Sequence, residues 1–291
     1  IVKNHGEEYI SLTCHEFPRI ENKFKDRREF SLSCACPEVV EIISCLSGKI
    51  NILTENRKNI KNDLLELKIR DTLVNIIQQD NFLLEEKLLV SFQMLLIILE
   101  DENFSENSLI EELKKYKNTE YIKEFMEIYK EIDSDINESV EEINYLLLDI
   151  IKNYKEVSSF EPILKDISDF GENINIENLS VKWQEYKDSF DKYNEFIENW
   201  IVSDILSSCI SNDIEELAIS FQLIILEYLL VRYAWFLKYC INKNKGIELK
   251  DIKDYIVAFS RIIGNNTEAV IEFLREGFED PVLEIGYLCF I

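Results

Sequence analysis

The stretch LAISFQLIILEYLLVRYAWFLKYCI, from Leu217 to Ile241, decides the fold class of this chain. It is apolar around nearly the whole circumference of a helix, which is typical of a helix at the centre of a protein core. Glu227, Arg232 and Lys238 interrupt it, and a membrane-spanning helix would rarely tolerate these charges. The sequence therefore predicts a buried core helix rather than a membrane span.

Most of the remaining chain also has helical character. Glycine (7 residues) and proline (4 residues) are scarce, and apolar residues recur every three to four positions in most segments. Residues 1–36 and 156–178 lack this pattern, so we expect loop or irregular structure there. The sequence thus predicts an all-α fold, an irregular multi-helix bundle with a small loop-rich, cysteine-containing N-terminal cap. We assign the cap to residues 1–48 and the helical domain to residues 49–291, and expect them to share one core.

A stripe of aromatic residues follows one face of a long predicted helix from Leu179 to Ile210. Aromatic ring faces attract cations, so the stripe could line a cage for a methylated lysine. Core packing requires the same spacing, and we favour that second interpretation. The stripe consists of Trp183, Tyr186, Phe190, Tyr193 and Trp200.

The charge balance limits the classes of partner. Acidic residues (56) outnumber basic ones (32), which gives a formal net charge of −24. Such a surface repels nucleic-acid phosphates and anionic membranes, so we expect neither as a partner. It favours a basic or lysine-bearing protein partner, although an acidic surface also simply improves solubility. No targeting segment is visible, and we expect a cytoplasmic protein.

Seven cysteines are present, and this odd number argues against complete disulfide pairing. Four of them lie in apolar helical stretches, where a free cysteine behaves as a small buried hydrophobic residue. We predict that role for Cys45, Cys209, Cys240 and Cys289.

The other three cysteines, Cys14, Cys34 and Cys36, lie in polar sequence near His15 and prolines. Thiolates bind zinc and iron–sulfur clusters, so these three are candidate metal ligands. A closed site needs four ligands, and His5 or His15 could supply another. A purely structural role for the thiols stays open.

Two N-terminal segments carry a more specific pattern, namely GEEYISLTCHEFPRI from Gly6 to Ile20 and FSLSCACPEVV from Phe30 to Val40. Together they resemble the bacterial flagellin lysine N-methylase family, in which a cysteine and an aromatic-Pro-Arg step precede a Ser/Leu-rich step into Cys-Pro-Glu. Cys14, Arg19 and Cys36 match that pattern in place, whereas Cys34 is an addition to it.

Three C-terminal segments extend the resemblance. They are ENWIV from Glu198 to Val202, YLLVRY from Tyr228 to Tyr233 and SRIIGNN from Ser260 to Asn266. The last segment departs from the family pattern, because Gly264-Asn265-Asn266 stands where Glu-His-Asn is expected.

The resemblance implies a protein-lysine N-methyltransferase that uses S-adenosylmethionine and acts on flagellin. It also implies an iron–sulfur or similar metal centre, built mainly by a cysteine-rich segment that precedes this part in family members. Cys14 and Cys36 would be the contributions of this chain, which we expect to be a fragment. The isolated chain should then bind metal poorly and be inactive, because too few ligands remain.

Several residues have both a catalytic and a structural interpretation. Arg19 and Arg261 could bind the carboxylate of the methyl donor, or they could form ordinary salt bridges on an acidic protein. Glu38 could act as a base, although an acid at a helix start more often complements the helix dipole. A base is needed because the lysine ammonium, with a pKa of ~10.4, has no lone pair for attack. No residue is identified as that base, and no glycine-rich nucleotide loop is present.

A second function class is also compatible with the sequence. The chain could be a non-catalytic, acidic, helical module that binds flagellin or another helical partner through apolar grooves. Anaerobic supply of iron and sulfide, with the missing upstream segment restored, distinguishes the two classes, because only a methylase should then take up a cluster and transfer methyl groups.

Overall fold

The computed structural model describes residues 16–24, 27–53, 64–100, 105–129, 136–174, 179–211, 213–242 and 248–277. Within them, two strands and twelve helices follow one another along the chain. They are β1 (Arg19–Lys23), β2 (Arg28–Leu32), α1 (Pro37–Ser44), α2 (Leu65–Ile77), α3 (Leu84–Glu100), α4 (Glu106–Lys115), α5 (Thr119–Tyr129), α6 (Ile136–Ile151), α7 (Glu161–Glu172), α8 (Leu179–Asp191), α9 (Asn194–Ser208), α10 (Ile214–Ile241), α11 (Leu249–Gly264) and α12 (Thr267–Gly277). The all-α prediction is confirmed.

Helix α10 is the central element of the fold, as its apolar sequence predicts. Its start is fixed by Asp213, whose carboxylate accepts hydrogen bonds from the backbone N–H of Glu215 (2.7 Å) and Glu216 (3.3 Å). Residues on all sides of the helix are buried, from Leu217 to Cys240. Helices α2, α3, α6, α7, α8, α9 and α11 all contact it. Among the described helices, none is both long and apolar enough to cross a membrane.

The N-terminal segment contributes to the same core. Val39, Val40 and Ile43 on α1 are buried in one cluster with the side chains of α10. Helix α1 packs on α9 and α11, and β2 packs on α9. The boundary at residue 48 stays a prediction.

Where the sequence indicated only loop, β1 and β2 pair as antiparallel strands, with Arg19 opposite Leu32 and Lys23 opposite Arg28. The inner face of the pair is mostly polar, whereas Phe30 on the outer face is 71% exposed. In β2 the usual alternation of apolar-in and polar-out residues is therefore inverted, whereas the outer face of β1 is charged, so the two strands give no common periodic signal.

A buried ion pair explains this inverted face. Arg70 of α2 donates to both carboxylate oxygens of Glu29, at 2.7 and 3.2 Å, and Arg27 donates to the same carboxylate at 2.7 Å. Burial by itself raises the pKa of Glu29, but the two guanidinium groups outweigh it and the pKa is lowered. The charged network thus fastens β2 to α2.

Two other predictions about helices were wrong. Residues 161–172 form helix α7, which begins with Pro162 in its first turn, a position that proline favours. The helix predicted from Leu179 to Ile210 is broken between α8 and α9, near Tyr193. The break lets α8 pack on α6 while α9 packs on α2, which one straight helix could not do. The last predicted helix, from Asp280, lies outside the described residues.

The aromatic stripe packs in the core, as we favoured, and it surrounds a cation that the chain itself supplies. The guanidinium carbon of buried Arg232 lies 5.2 Å from the ring centre of Trp183 and 5.8 Å from that of Phe190. A guanidinium nitrogen of Arg232 lies 2.7 Å from the carboxylate of Glu85, and the hydroxyl of Tyr186 donates to the Arg232 carbonyl oxygen at 2.6 Å. The rings therefore stabilise an internal ion pair.

Replacing Arg232 should strongly destabilise the protein. In Arg232→Ala, Glu85 keeps its charge in a desolvated site without its cation, which typically costs about 3–5 kcal/mol. Urea denaturation followed by circular dichroism measures this loss. The exposed Arg275 of α12 offers a control, since Arg275→Ala should stay within about 0.5 kcal/mol of the wild type. A loss below about 1 kcal/mol for Arg232→Ala would contradict the role of the pair.

Candidate functional site

Two of the motifs that resemble the family, Phe30–Val40 and Ser260–Asn266, are in contact in the folded protein. The guanidinium Nε of Arg261 on α11 donates to the carbonyl oxygen of Ala35, between Cys34 and Cys36, at 2.9 Å. Lys253, two helical turns earlier on α11, pairs with Glu41 of α1 at 2.5 Å. Helix α11 therefore holds both the cysteine-bearing turn and the helix that follows it.

Cys36 occupies the position that caps the N-terminus of α1. Its backbone is extended, its side chain makes no capping hydrogen bond, and the residue is half-buried. The partial positive charge at a helix N-terminus favours an anionic ligand atom, so this position suits a thiolate. Glu38 is exposed in the first turn of the same helix, where an acid complements the dipole.

The surroundings of Cys34 are different. This residue is buried, and its thiol is a hydrogen-bonding neighbour of Asp204 on α9. Burial raises the pKa of the Cys34 thiol, and the charges of Asp204 and Glu227 raise it further. The thiol therefore stays protonated.

Asp204 and Glu227 form a desolvated acidic pair behind the cysteine turn. Burial raises the pKa of Asp204 and, together with Asp204, that of Glu227. The hydroxyl of Ser260 donates to Glu227 at 2.9 Å. Sequence reasoning missed this pair, because Glu227 lies in an apolar helix and Asp204 on a helix of mixed composition.

The remaining candidates fall in different places. Cys14, His5 and His15 lie outside the described residues, and Arg19 is exposed at the start of β1. In the described part of the chain, no group of three or more His, Cys, Asp or Glu residues could hold a metal ion. The metal and donor-binding roles of Cys14, Cys34, Cys36, Arg19 and Arg261 therefore stay predictions.

The predicted burial of the other cysteines is only partly confirmed. Cys209 and Cys240 are buried, but Cys45 is exposed. Helix α1 ends at Ser44, and the Cys45 sulfur turns back to the Glu41 carboxylate at 3.7 Å. Cys289 lies outside the described residues.

At the other end of α1, the chain enters an open polar cleft of about 540 Å³. We call it the α9 cleft, because α9 forms one wall and the loop after α1, the end of α2 and the start of α3 form the rest. Its lining residues are mainly polar: Gly48, Lys49, Asn51, Gln78, Gln79, Asp80, Phe82, Lys87, Glu195, Glu198 and Asn199.

A buried ion pair lies in the wall of the α9 cleft. The ammonium of Lys87, only 3% exposed, lies 2.6 Å from the carboxylate of Glu198. Burial raises the pKa of Glu198, although the hydrogen bond from Lys87 opposes this shift. Glu198 is thus a desolvated carboxylate whose affinity for a proton exceeds that of an ordinary glutamate.

The loop residue Lys49 also reaches into the α9 cleft. Its ammonium donates to the carbonyl oxygen of Gln78 and forms an ion pair with Asp80. The hydrogen bond and charge of Lys49 lower the pKa of Asp80. The cleft therefore already binds two lysine ammonium groups, each with a carboxylate partner.

Only part of this cleft could be found from the sequence. The segment Glu198–Val202 was noted as family-like, and it does supply Glu198 and Asn199. Lys49, Asp80 and Lys87 were missed, because they lie on three different elements and share no spacing pattern.

Replacing Asp204 tests the desolvated acidic pair. In the folded protein the Asp204 pKa is raised. The contribution of Asp204 to the free energy of unfolding of the wild type therefore falls as the pH rises above ~3.9, the ordinary aspartate value. Asp204→Asn lacks this loss. Its free energy of unfolding relative to wild type should increase from about pH 4 to about pH 7, by on the order of 1 kcal/mol.

Urea denaturation across that pH range provides the measurement. Asp149→Asn, at an exposed position of α6, is the matched control and should show no such trend. A difference between Asp204→Asn and wild type that does not vary with pH would contradict the assignment.

Comparison with known proteins supports the likeness of the three C-terminal motifs, whereas the cysteine motifs at 6–20 and 30–40 lie outside the matched region. The family model "FliB lysine N-methylase C-terminal domain" matches residues 70–291, which include α9, α10, α11 and most of the α9 cleft. Neither a curated protein nor a solved structure matches the chain. Because the matched region covers most of the sequence, the chain belongs to the FliB lysine N-methylase family and carries its C-terminal domain.

Proposed function

We propose that this domain receives lysine side chains of flagellin in the α9 cleft for N-methylation by S-adenosylmethionine. The observation that carries the proposal is the desolvated carboxylate of Glu198, located in a cleft that already binds lysine ammonium groups. The net charge of −24 favours approach of a lysine-bearing surface. Membership in the lysine N-methylase family supports the reaction type.

The chemistry requires that the substrate ammonium first lose a proton. Its ordinary pKa is ~10.4, and only the neutral amine has the lone pair that forms the new N–C bond. Glu198, with its raised pKa, is the group that we assign to accept this proton. The positive charges of Lys49 and Lys87 beside the site also disfavour a third ammonium there. S-adenosylmethionine, when bound, would supply the methyl group as an electrophile for the neutral amine.

The site of the methyl donor rests on fewer observations. Arg19 and Arg261 are the candidates for its carboxylate. Arg261 uses Nε for the Ala35 carbonyl, and within the described residues its two terminal nitrogens have no acceptor. The described residues show no donor site beyond these two side chains.

Replacing Glu198 should slow methyl transfer without unfolding the protein. Glu198→Gln keeps the size of the side chain and an oxygen for Lys87, but it removes the proton acceptor. We expect about a hundredfold lower rate of methyl transfer to flagellin by the full-length protein. The low-pH limb of the wild-type pH–rate profile should disappear as well.

Transfer of a labelled methyl group measures the rate, and Glu111→Gln, at an exposed position of α4, serves as the control. Wild-type rates in Glu198→Gln would exclude Glu198 as the base. A full-length protein that binds flagellin but transfers no methyl group would instead indicate the non-catalytic binding module.

We also propose that Cys36 and Cys14 ligate an iron–sulfur cluster whose other ligands come from elsewhere in the protein. The position of Cys36 at the start of α1 fits an anionic sulfur ligand. Cys34 fits less well, because its buried thiol is held in the protonated form beside Asp204. No more than this part of a cluster site can be assigned to the described residues.

Reconstitution of the full-length protein tests the cluster. Under anaerobic conditions with iron and sulfide, Cys36→Ser and Cys14→Ser should lose most of the visible absorbance and bound iron of the wild type. Cys45→Ser, at the exposed cysteine that follows α1, should keep both. Equal iron content in Cys36→Ser and Cys45→Ser would remove Cys36 from the ligand set.

A further inference from the structure

The loop Gly48–Ile50 is bound by side chains of other elements through its main chain. The backbone N–H of Gly48 donates to Glu195 at 2.8 Å, and the side-chain amide of Asn199 donates to the Gly48 carbonyl at 2.9 Å. The same Asn199 amide accepts from the Ile50 N–H at 3.0 Å, and Gln78 donates to the Ile50 carbonyl at 2.9 Å. Four hydrogen bonds thus hold the backbone of three consecutive residues.

Lys49 lies between the two residues whose backbones are bonded, and its side chain contacts acceptors in the cleft. Its ammonium is bound by a carbonyl oxygen of Gln78 and the carboxylate of Asp80. The main-chain hydrogen bonds require a backbone that is left-handed at Gly48 (φ 81°), a conformation that favours glycine before the lysine, and the paired acceptors select the lysine itself. The arrangement therefore has the elements of a lysine-peptide site.

This polar clasp holds the loop together with Ile50, whose partly buried side chain packs against the hydrophobic core. After Ile50 it returns to the surface, where Ile52 is 60% exposed and Leu53 is 91% exposed. In contrast, Asn199 is only 2% exposed on the rigid helix α9. The clasp is therefore pre-organised and the loop is its displaceable part.

We propose that the α9 cleft is a binding site for a lysine-centred peptide, and that Gly48–Ile50 occupies it as an internal mimic of the substrate. The proposal rests on the proposed function in one respect, since the natural ligand would be a lysine-bearing segment of flagellin. A ligand must displace the loop, so the loop sets a threshold of affinity that a substrate has to exceed.

Weakening the internal mimic should strengthen binding of an external peptide. The reporter is a fluorescein-labelled peptide with the sequence SGKINIL, which corresponds to Ser47–Leu53, titrated with the full chain and followed by fluorescence anisotropy. Lys49→Ala removes the internal ammonium from Gln78 and Asp80, so we expect at least about tenfold tighter binding than to wild type. Lys123→Ala, which removes an exposed lysine of α5, should bind like wild type.

Two further comparisons identify the site. The peptide SGAINIL should bind weakly to all three proteins, and adding Asn199→Ala to Lys49→Ala should remove the gain. Circular dichroism establishes that each variant is folded, and Lys49→Gln replaces Lys49→Ala if the latter melts early. Equal binding of SGKINIL to folded wild type and both Lys49 variants would overturn the proposal, as would a gain that survives Asn199→Ala.

The assay contains no methyl donor and no flagellin. A negative result would therefore reject Gly48–Ile50 as an internal mimic, whereas the role of Glu198 in methyl transfer is decided by its own variant. Loss of methyl transfer in the Glu198 variant would likewise stand whether or not the loop acts as a mimic.

Discussion

The structure depends on the burial of helix α10 around its whole circumference. A 28-residue helix with apolar side chains on every side cannot lie on a surface, so other helices must surround it. Seven of the described helices do so, and they come from both halves of the chain. This constraint explains why α8 and α9 separate at Tyr193 and why α1 belongs to the same core as the C-terminal helices.

Burial of that helix also determines which polar groups become unusual. Arg232 lies in its middle, where Glu85 and a set of aromatic rings stabilise its buried positive charge. Glu227, five residues earlier, shares a desolvated region with Asp204 and Cys34. In each case a titratable side chain is held by neighbours from other helices, because an isolated buried charge would be too costly.

The two regions proposed to act in function lie at opposite ends of α1. At its start, the turn with Cys36 is held by Arg261, and at its end the chain enters the α9 cleft. Helix α9 contacts both regions, through Asp204 near its C-terminus and through Glu198 and Asn199 near its middle. A cluster at one end would thus be rigidly connected to a lysine site at the other. That arrangement suits a structural role for the cluster as much as a chemical one.

The sequence alone determined the helical class, the central position of α10 and the likeness to lysine N-methylases, because these depend on residue type and local period. It also indicated Cys36 and the segment around Asn199, because these belong to contiguous motifs. Only the tertiary structure revealed the hairpin in which β2 turns Glu29 inward, helix α7 with Pro162 in its first turn, and the exposure of Cys45. It alone brought Lys49, Asp80, Lys87 and Glu198 into one cleft. The reason is physical: their arrangement arises from how distant helices pack against α10, and no local pattern records which polar side chains that packing brings together.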